Sequence, residues 1–478
     1  MYNAYITRLK NVRKHPNADR LQLGDCFGNT VCVNLDYEDN QLGIYFPTDG
    51  QLSVEFAEVN NLVRKKDDAG NNIGGYMDSN KRNVTAIRLR GEKSDGLFLP
   101  LESLSTFGDI STLKEGDCFT IFNGHEICCK YIPKKQNKEP NTSNGNKVRK
   151  KKVPVAPLFS EHADTEQLAY NLSAFKPDDE IEITLKMHGT SQRTGYLPVL
   201  KGYKDSWFCD CYNAISKMCH LAFGNLDDFE PKHDGEPIYE YDYVSGTRRT
   251  VLENYEGGYY GDNAFRETHS KVFEDKLNKG EEIFYEVVGF THTGTPIMSS
   301  CNNKKLDDKE FVKQYGDTTV FSYGCSPTGK KALYGKDENG AFSVEQDAPQ
   351  SDMYVYRKTM TNEDGFVVEY TPDFMRYRCE QMGVKYVPVL DKFTIPSQEE
   401  LESIGLSAGE YVKQKAGLYL NTEPDPIGKT HIKEGVVVRI LNRPKFTAYK
   451  DKVFEFKVIE GIVKSIADAP DMEDAEGL

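Results

Sequence analysis

Lys186 follows the apolar run Ile181 to Leu185 and precedes Met187-His188-Gly189-Thr190-Ser191, which puts a lysine at the end of a buried strand, before a glycine turn. That placement suits a nucleophile. A lysine amine attacks phosphorus only when neutral, and burial, a neighbouring cation or a metal at a pocket floor favours that form. Alone, Lys-x-x-Gly carries little information, because a solvent-facing lysine before a turn is spelled the same way. The segments downstream supply what a nucleotidyl transfer needs, in order. They are Ser245-Gly246-Thr247-Arg248-Arg249, Tyr285-Glu286-Val287-Val288-Gly289, Glu434-Gly435-Val436-Val437-Val438-Arg439 and Phe454-Glu455-Phe456-Lys457. Acids and further cations thus follow the lysine.

These segments resemble motifs I, Ia, III, IV and V of the covalent nucleotidyltransferase superfamily, which contains DNA ligases, RNA ligases and mRNA capping enzymes. Lys186-x-His188-Gly189-Thr190-Ser191 is similar to the signature of nick-sealing RNA ligases of the RNA ligase 2 type, where His replaces the Asp usual in DNA ligases and capping enzymes. Gly289-Phe290 through Pro296-Ile297-Met298 and Tyr354-Val355-Tyr356-Arg357 look like the same group. The stretch His15-Pro16-Asn17-Ala18-Asp19-Arg20-Leu21 resembles the start of an OB barrel in these ligases and in tRNA-binding OB domains, and equally reads as a local Pro-Asn turn. A barrel ahead of the transferase is the order of the Deinococcus-type and Naegleria-type RNA ligases, whereas DNA ligases and capping enzymes carry it behind.

The resemblance implies an ATP-dependent RNA ligase. Lys186 would attack the α-phosphorus of ATP to form a lysyl-AMP, AMP would pass to an RNA 5′-phosphate, and a 3′-hydroxyl would displace it. It implies catalytic roles for Lys186, His188, Arg248 and Lys457, with Gly189 and Ser191 also in the ATP site. Lys457 would contact the α-phosphate, and Arg248, with Arg249 as fallback, the ribose or the RNA 5′-phosphate, where a forked donor fits. Glu286 would accept from a ribose hydroxyl, Glu434 would orient the water shell of Mg²⁺ or Mn²⁺, and Tyr356 would stack on adenine. Each acid could instead be paired for stability, and a strand tyrosine is often core. Motif V normally alternates two lysines, but Glu455 occupies the first position. Lys450 and Lys452 are the alternative pair, and the alternation Phe454, Phe456, Val458 favours the first alignment, as a strand.

The elements that must position these residues fit an α+β chain. At 478 residues two domains are expected. Residues 1–132 alternate in short runs (Tyr5 to Leu9, Thr30 to Val33, Asn83 to Leu89) and read as an OB-like β-barrel with an exposed loop, Arg64 to Asn83. Residues 133–154 form a basic linker, with eight Lys or Arg against one Glu between Lys134 and Lys152; Lys150, Lys151, Lys152 and Arg249 are candidate RNA contacts. Residues 155–465 form the adenylyltransferase domain, by resemblance an ATP-grasp-like ligase domain of antiparallel sheets with flanking helices. In it Glu161 to Leu172 and Ala214 to Phe223 read as helices, and Ile181 to Leu185, Glu282 to Val288 and Gly435 to Leu441 as strands. The long spacing from Lys186 to Glu286 implies insertions around Tyr203 to Asp242 and Gly257 to Lys279. Residues 466–478 are an acidic tail.

The net charge of −14 opposes a general nucleic-acid surface, so any such surface is local. Eleven cysteines without a regular spacing point to reduced thiols, and Cys209, Cys211, Cys219 and His220 lack the spacing of common zinc sites. No apolar run approaches the ~18 residues of a membrane span, and the first residues lack a secretion signal, so a cytoplasmic or other intracellular location is expected. The expected partner is RNA, as nicked duplex or broken ends, handled by a monomer. The competing readings are a DNA ligase, a GTP-dependent capping-type transferase, and an inactive nucleic-acid-binding protein.

Overall fold

The computed structural model describes residues 2–465 other than 49, 67–71, 76, 132–152, 164, 224–230, 253, 256–259, 261–262 and 337–341. Lys150, Lys151, Lys152 and the acidic tail therefore lie outside the described residues. The described part is α+β, with antiparallel sheets predominating.

Residues 2–131 form a module of short strands. Leu97–Pro100, Leu42–Phe46, Ala4–Arg8 and Cys118–Phe119 make one sheet; Lys10–Lys14, Leu21–Cys26 and Asn29–Asn34 make a second; Cys128–Lys130, Gly50–Leu52 and Asn83–Val84 a third. Ile6, Ile44, Phe46, Leu52 and Phe56 fill the core between the first and third, and Cys26, Val31 and Val33 of the second pack with Tyr45 and Phe98 of the first. The alternating runs do become strands, but the described strands do not close into a barrel. Left-handed turns at Asn11, Phe27 and Asn40 and a register shift between Lys10 and Arg13 interrupt the ladder. Part of the expected Arg64 to Asn83 loop is also paired, Arg64–Lys66 against Asn72–Gly74.

Two five-stranded sheets build the second module. The first runs Glu166–Gln167, Ala448–Lys452, Gly435–Ile440, Glu180–Lys186, Val389–Thr394; the second runs Pro237–Gly246, Thr190–Tyr203, Glu281–Gly289, Ser351–Thr361, Val367–Glu369. One face of the first sheet carries Ile181, Ile183, Val436, Val438 and Ile440, packed on Leu401, Ala408, Val412 and Ala416 of two helices. Those helices, Gln398–Ile404 and Ala408–Gly417, start at capping boxes made by Ser397 with Glu400 and Ser407 with Glu410, which satisfy otherwise orphaned N–H groups. The opposite face is left for the site.

Two expected elements are corrected. Glu161 to Leu172 is not a helix. It is extended through Glu166–Gln167 and then turns at Leu168–Tyr170 and Leu172–Ala174. Its side chains have partners in different directions: Leu168 enters the core of the first sheet, while Tyr170 stacks on Tyr5 of the N-terminal module at 4.7 Å. Phe454 to Lys457 is not a strand but opens the helix Phe454–Ser465, with Phe456 buried and Lys457 N–H bonded to Val453 O. This helix and Tyr170 dock the modules together, through Lys93–Glu455 at 2.8 Å and Lys457–Asp95 at 2.6 Å.

Candidate active site

Strand alternation sorts the first sheet into rows. Lys186 pairs with Gly435 and Gly435 with Lys452; Thr184 pairs with Val437 and Val437 with Lys450; Glu182 pairs with Arg439 and Arg439 with Ala448. Residues directly opposite in a ladder share a face, so Lys186, Lys450 and Lys452 project to the side away from the Ile and Val core. There a cleft opens between the two sheets, with about 840 Å³ of space that includes its open, solvent-filled mouth. Lys186, Thr184, Glu182, Val437 and Arg439 line one wall, and Glu286 and Tyr356 the other. Arg248, His162, Phe446, Met375 and Arg376 complete it.

At the Lys186 end the charges are arranged around one acid. Glu434, fully buried, lies 2.8 Å from the Lys186 ammonium, 3.2 Å from that of Lys452 and 3.6 Å from His188 Nδ1. Burial works against its charge, but Lys186 and Lys452 outweigh it and hold the carboxyl down at about 2, so it is an anion at neutral pH. Both ammonium groups lie on Oε1, and Oε2 faces His188 Nδ1 at 3.6 Å. A buried carboxylate with lone pairs to spare fits Mg²⁺ or Mn²⁺, directly or through water. His188 stands behind it, edge-on to Phe321 and Phe456 at 4.5 and 4.8 Å, its backbone N–H donated to the Tyr323 hydroxyl at 2.8 Å. Gly189 is forced by packing: a Cβ there would lie 2.4 Å from Val287 O and 2.9 Å from Glu286 Cγ.

On the facing wall Ser191 pairs with Glu286 in the ladder, and its hydroxyl bonds the Tyr356 hydroxyl at 2.9 Å. A register shift between Phe284 and Tyr285 lets Tyr356 join that face. Burial, then the charge of Glu286, raises the Tyr356 phenol above its usual range, so it stays neutral. His162 meets the Tyr356 ring edge-on at 5.1 Å. Burial, then Arg357, Arg248 and Arg193, hold its imidazole well below the usual value, and it too is neutral. Farther from Lys186, Arg376 pairs with Glu182 at 2.8 Å, and Phe446 lies under the guanidinium groups of Arg357 and Arg439 at 4.7 and 5.0 Å.

The structure thus brings Lys186, Arg248, Glu286 and Tyr356 to one cleft, with Gly189 and Ser191 in the strand entry that connects its walls and Glu434 and His188 at its Lys186 end. Arg249 is exposed beside the half-buried Arg248. Lys457 is the exception. It lies on a helix with its amine on Asp95, and Lys452 stands beside Glu434 instead, because the strand bearing Lys450 and Lys452 is the one paired with Gly435–Ile440. The spacing Lys450-Asp451-Lys452 carried that signal in the sequence. Arg439 ended a segment already singled out, but His162, Arg376 and Phe446 arrive from segments with no local signature.

No protein-family model and no curated protein matches the sequence. Solved structures match its fold. A mutant RNA ligase from Naegleria gruberi with AMP and Mn aligns at TM-score 0.50 and 14% identity over 95% of this chain and 97% of that one. A mutant of the same ligase with ATP and Mn gives 0.50 and 15% over 95% and 98%, and the ligase with PPi gives 0.50 and 14% over 98% and 99%. The likeness establishes an RNA ligase-like α+β fold along nearly the whole chain.

Proposed function

We propose that the protein is an ATP-dependent RNA ligase that works through a lysyl-AMP on Lys186. The observation that carries the reading is the cluster at one end of the cleft, with Lys186 and Lys452 flanking the buried Glu434 and Glu286 and Arg248 on the walls. An amine, two cations and two carboxylates set around one cleft suit phosphoryl substitution, where the protein's work is to orient groups and neutralise charge on non-bridging oxygens.

In the first step the Lys186 nitrogen forms a bond to the α-phosphorus, the bond from that phosphorus to the bridging oxygen of the β-phosphate breaks, and pyrophosphate leaves with the bonding electrons. The amine gives up its protons to solvent. Lys452 would neutralise charge on the α-phosphate, the role first read onto Lys457. Glu286 would accept from a ribose hydroxyl, and the adenine would lie toward Tyr356 and Phe446. A divalent ion held at Glu434 would supply charge neutralisation at phosphate and favour the neutral amine. Arg248 would hold the RNA 5′-phosphate for transfer of AMP, after which an RNA 3′-hydroxyl displaces AMP and closes the strand. His188 is a positioning residue, orienting Glu434 from behind. RNA as nicked duplex or broken ends is the substrate class this reading implies.

The experiment is incubation of the protein with Mg²⁺ or Mn²⁺ and α-labelled ATP or GTP, beside Lys186→Ala, followed by denaturing electrophoresis. Label from ATP that is absent in the variant, and that moves to a 5′-phosphorylated nicked RNA, is the expected result. Label from GTP alone would make the protein a capping-type transferase. No label, from protein isolated free of AMP, would overturn the proposal.

A further inference from the structure

Between two adjacent strands of the second sheet the chain inserts a helix, Trp207–Phe223, at the far end of the hairpin formed by Thr190–Tyr203 and Pro237–Gly246. At 100° per residue its side chains divide sharply. Asp210, Asn213, Ser216, Lys217 and His220 fall on one side with Cys209, and every large apolar residue falls on the other. Part of the polar side faces the protein: Asn213 Nδ2 and Cys209 Sγ donate to the Lys232 carbonyl at 2.7 and 3.2 Å, and Asn213 Oδ1 accepts from the Lys232 N–H at 2.9 Å, while Asp210 and Lys217 at its margin are exposed. The apolar side is turned outward. Trp207 and Phe208 are 71% and 78% exposed, Tyr212 is half exposed, and Ile215, Met218 and Leu221 lie between 63% and 68%. A helix oriented this way is inverted relative to the rule for a surface helix, and a stripe of that size marks a binding surface.

We infer that this face pairs with the same face of a second copy of the chain, two Trp207–Phe223 helices meeting about a two-fold axis. Area is the first argument. The six side chains together expose on the order of 800 Å², about what each partner buries in a stable complex. Chemistry is the second. The side chains of the stripe carry no charge, and the ammonium of Lys232, 4.5 Å over the Tyr212 ring, stands at the Tyr212 edge of it, so the Trp207, Ile215 and Met218 centre meets a copy of itself without stranding a charge, and a closed two-fold contact leaves no apolar surface to propagate. The other covers are disfavoured. The tracts outside the described residues contain no two consecutive large apolar residues. A bilayer-seated helix wants several Lys or Arg on its polar side. This one has only Lys217, and Asp227, Asp228 and Glu230 follow it. From Ser191 at the cleft to Tyr203 the strand extends up to roughly 40 Å, so pairing at the hairpin ends leaves both clefts open. The inference replaces the single-copy expectation and does not depend on the ligase reading.

Trp207 is the chain's only tryptophan and sits in the stripe, so its emission reports the contact directly. The experiment is sedimentation equilibrium of the full chain over a concentration series, with Trp207 emission read on the same samples. The expected result is a rise from one to two chains with a parallel shift to shorter wavelength. Ile215→Glu with Met218→Glu should weaken association about a hundredfold or more, because each buried charge has no partner. Lys217→Ala, on the opposite side, should leave association unchanged and so separates loss of the stripe from loss of the helix. A single chain with water-exposed emission throughout overturns the inference. So does a pair that survives the double substitution, and so does a single chain whose emission shifts only when phosphatidylcholine vesicles are added.

Discussion

Replacing Lys452 and Lys457 by methionine, one at a time, tests which lysine serves the cleft. Lys452 stands in the same row of the sheet as Lys186, 3.2 Å from Glu434 and 2.9 Å from Glu460. Lys457 ties two modules together through Asp95 at 2.6 Å, with both side chains largely buried. Removing one preorganised cation from charge that develops on a transferring phosphoryl group costs on the order of 10²–10³ in rate, about 3–4 kcal/mol. Lys452→Met should therefore slow formation of the labelled protein by about that factor. Lys457→Met should change it less than about threefold and lower stability by about 3 kcal/mol, because Asp95 is left buried without its partner. The assay is the rate of acid-stopped labelling from α-labelled ATP in single turnover, run well below each variant's unfolding temperature. Lys452→Arg, which keeps the charge, should recover part of the rate, so a mere folding defect is distinguishable. A hundredfold loss in Lys457→Met beside a near-normal Lys452→Met would refute the strand-face reasoning and restore the first alignment.

Gly189→Ala should destabilise the fold by about 1–3 kcal/mol, because the added methyl meets Val287 O at 2.4 Å, and thermal unfolding reads this directly. Tyr356→Phe, which loses only the bond to Ser191, should raise the KM for ATP a few-fold, about 1 kcal/mol, while Tyr356→Ala should raise it at least about tenfold by removing the ring. Glu434 has a folded value of about 2 against 4.5 ordinarily, so its contribution is fully present above 4.5 and is lost as pH falls from there toward 2. The stability of Glu434→Gln, followed by urea unfolding, should therefore depend less on pH across that window, by up to about 3 kcal/mol. A chelator should abolish labelling, and Mg²⁺ or Mn²⁺ should restore it.

Much of the site was legible because its residues sit on long strands whose alternation is written locally. Ile181 to Leu185, Glu282 to Val288 and Gly435 to Leu441 became strands of the expected kind, and with them came Lys186, Glu286 and Glu434. For such segments local spacing alone determines that Lys186 and Glu286 fall on the strand faces opposite the apolar cores and that Glu434 falls at a strand start. What it could not determine was which face meets which. The run Phe454, Phe456, Val458 is compatible with either period, and only packing of Phe456 against His188 and Phe321 selects the helix. Glu161 to Leu172 has a helical spelling, yet Leu168, Tyr170 and His162 are drawn to three different partners, and a helix cannot point them all. The pairing of Lys452 with Glu434, the pocket position of His162 and the outward orientation of the stripe at Trp207 all depend on how distant segments meet. Their energies depend on which surfaces the completed fold brings together, and that was decided by tertiary structure alone.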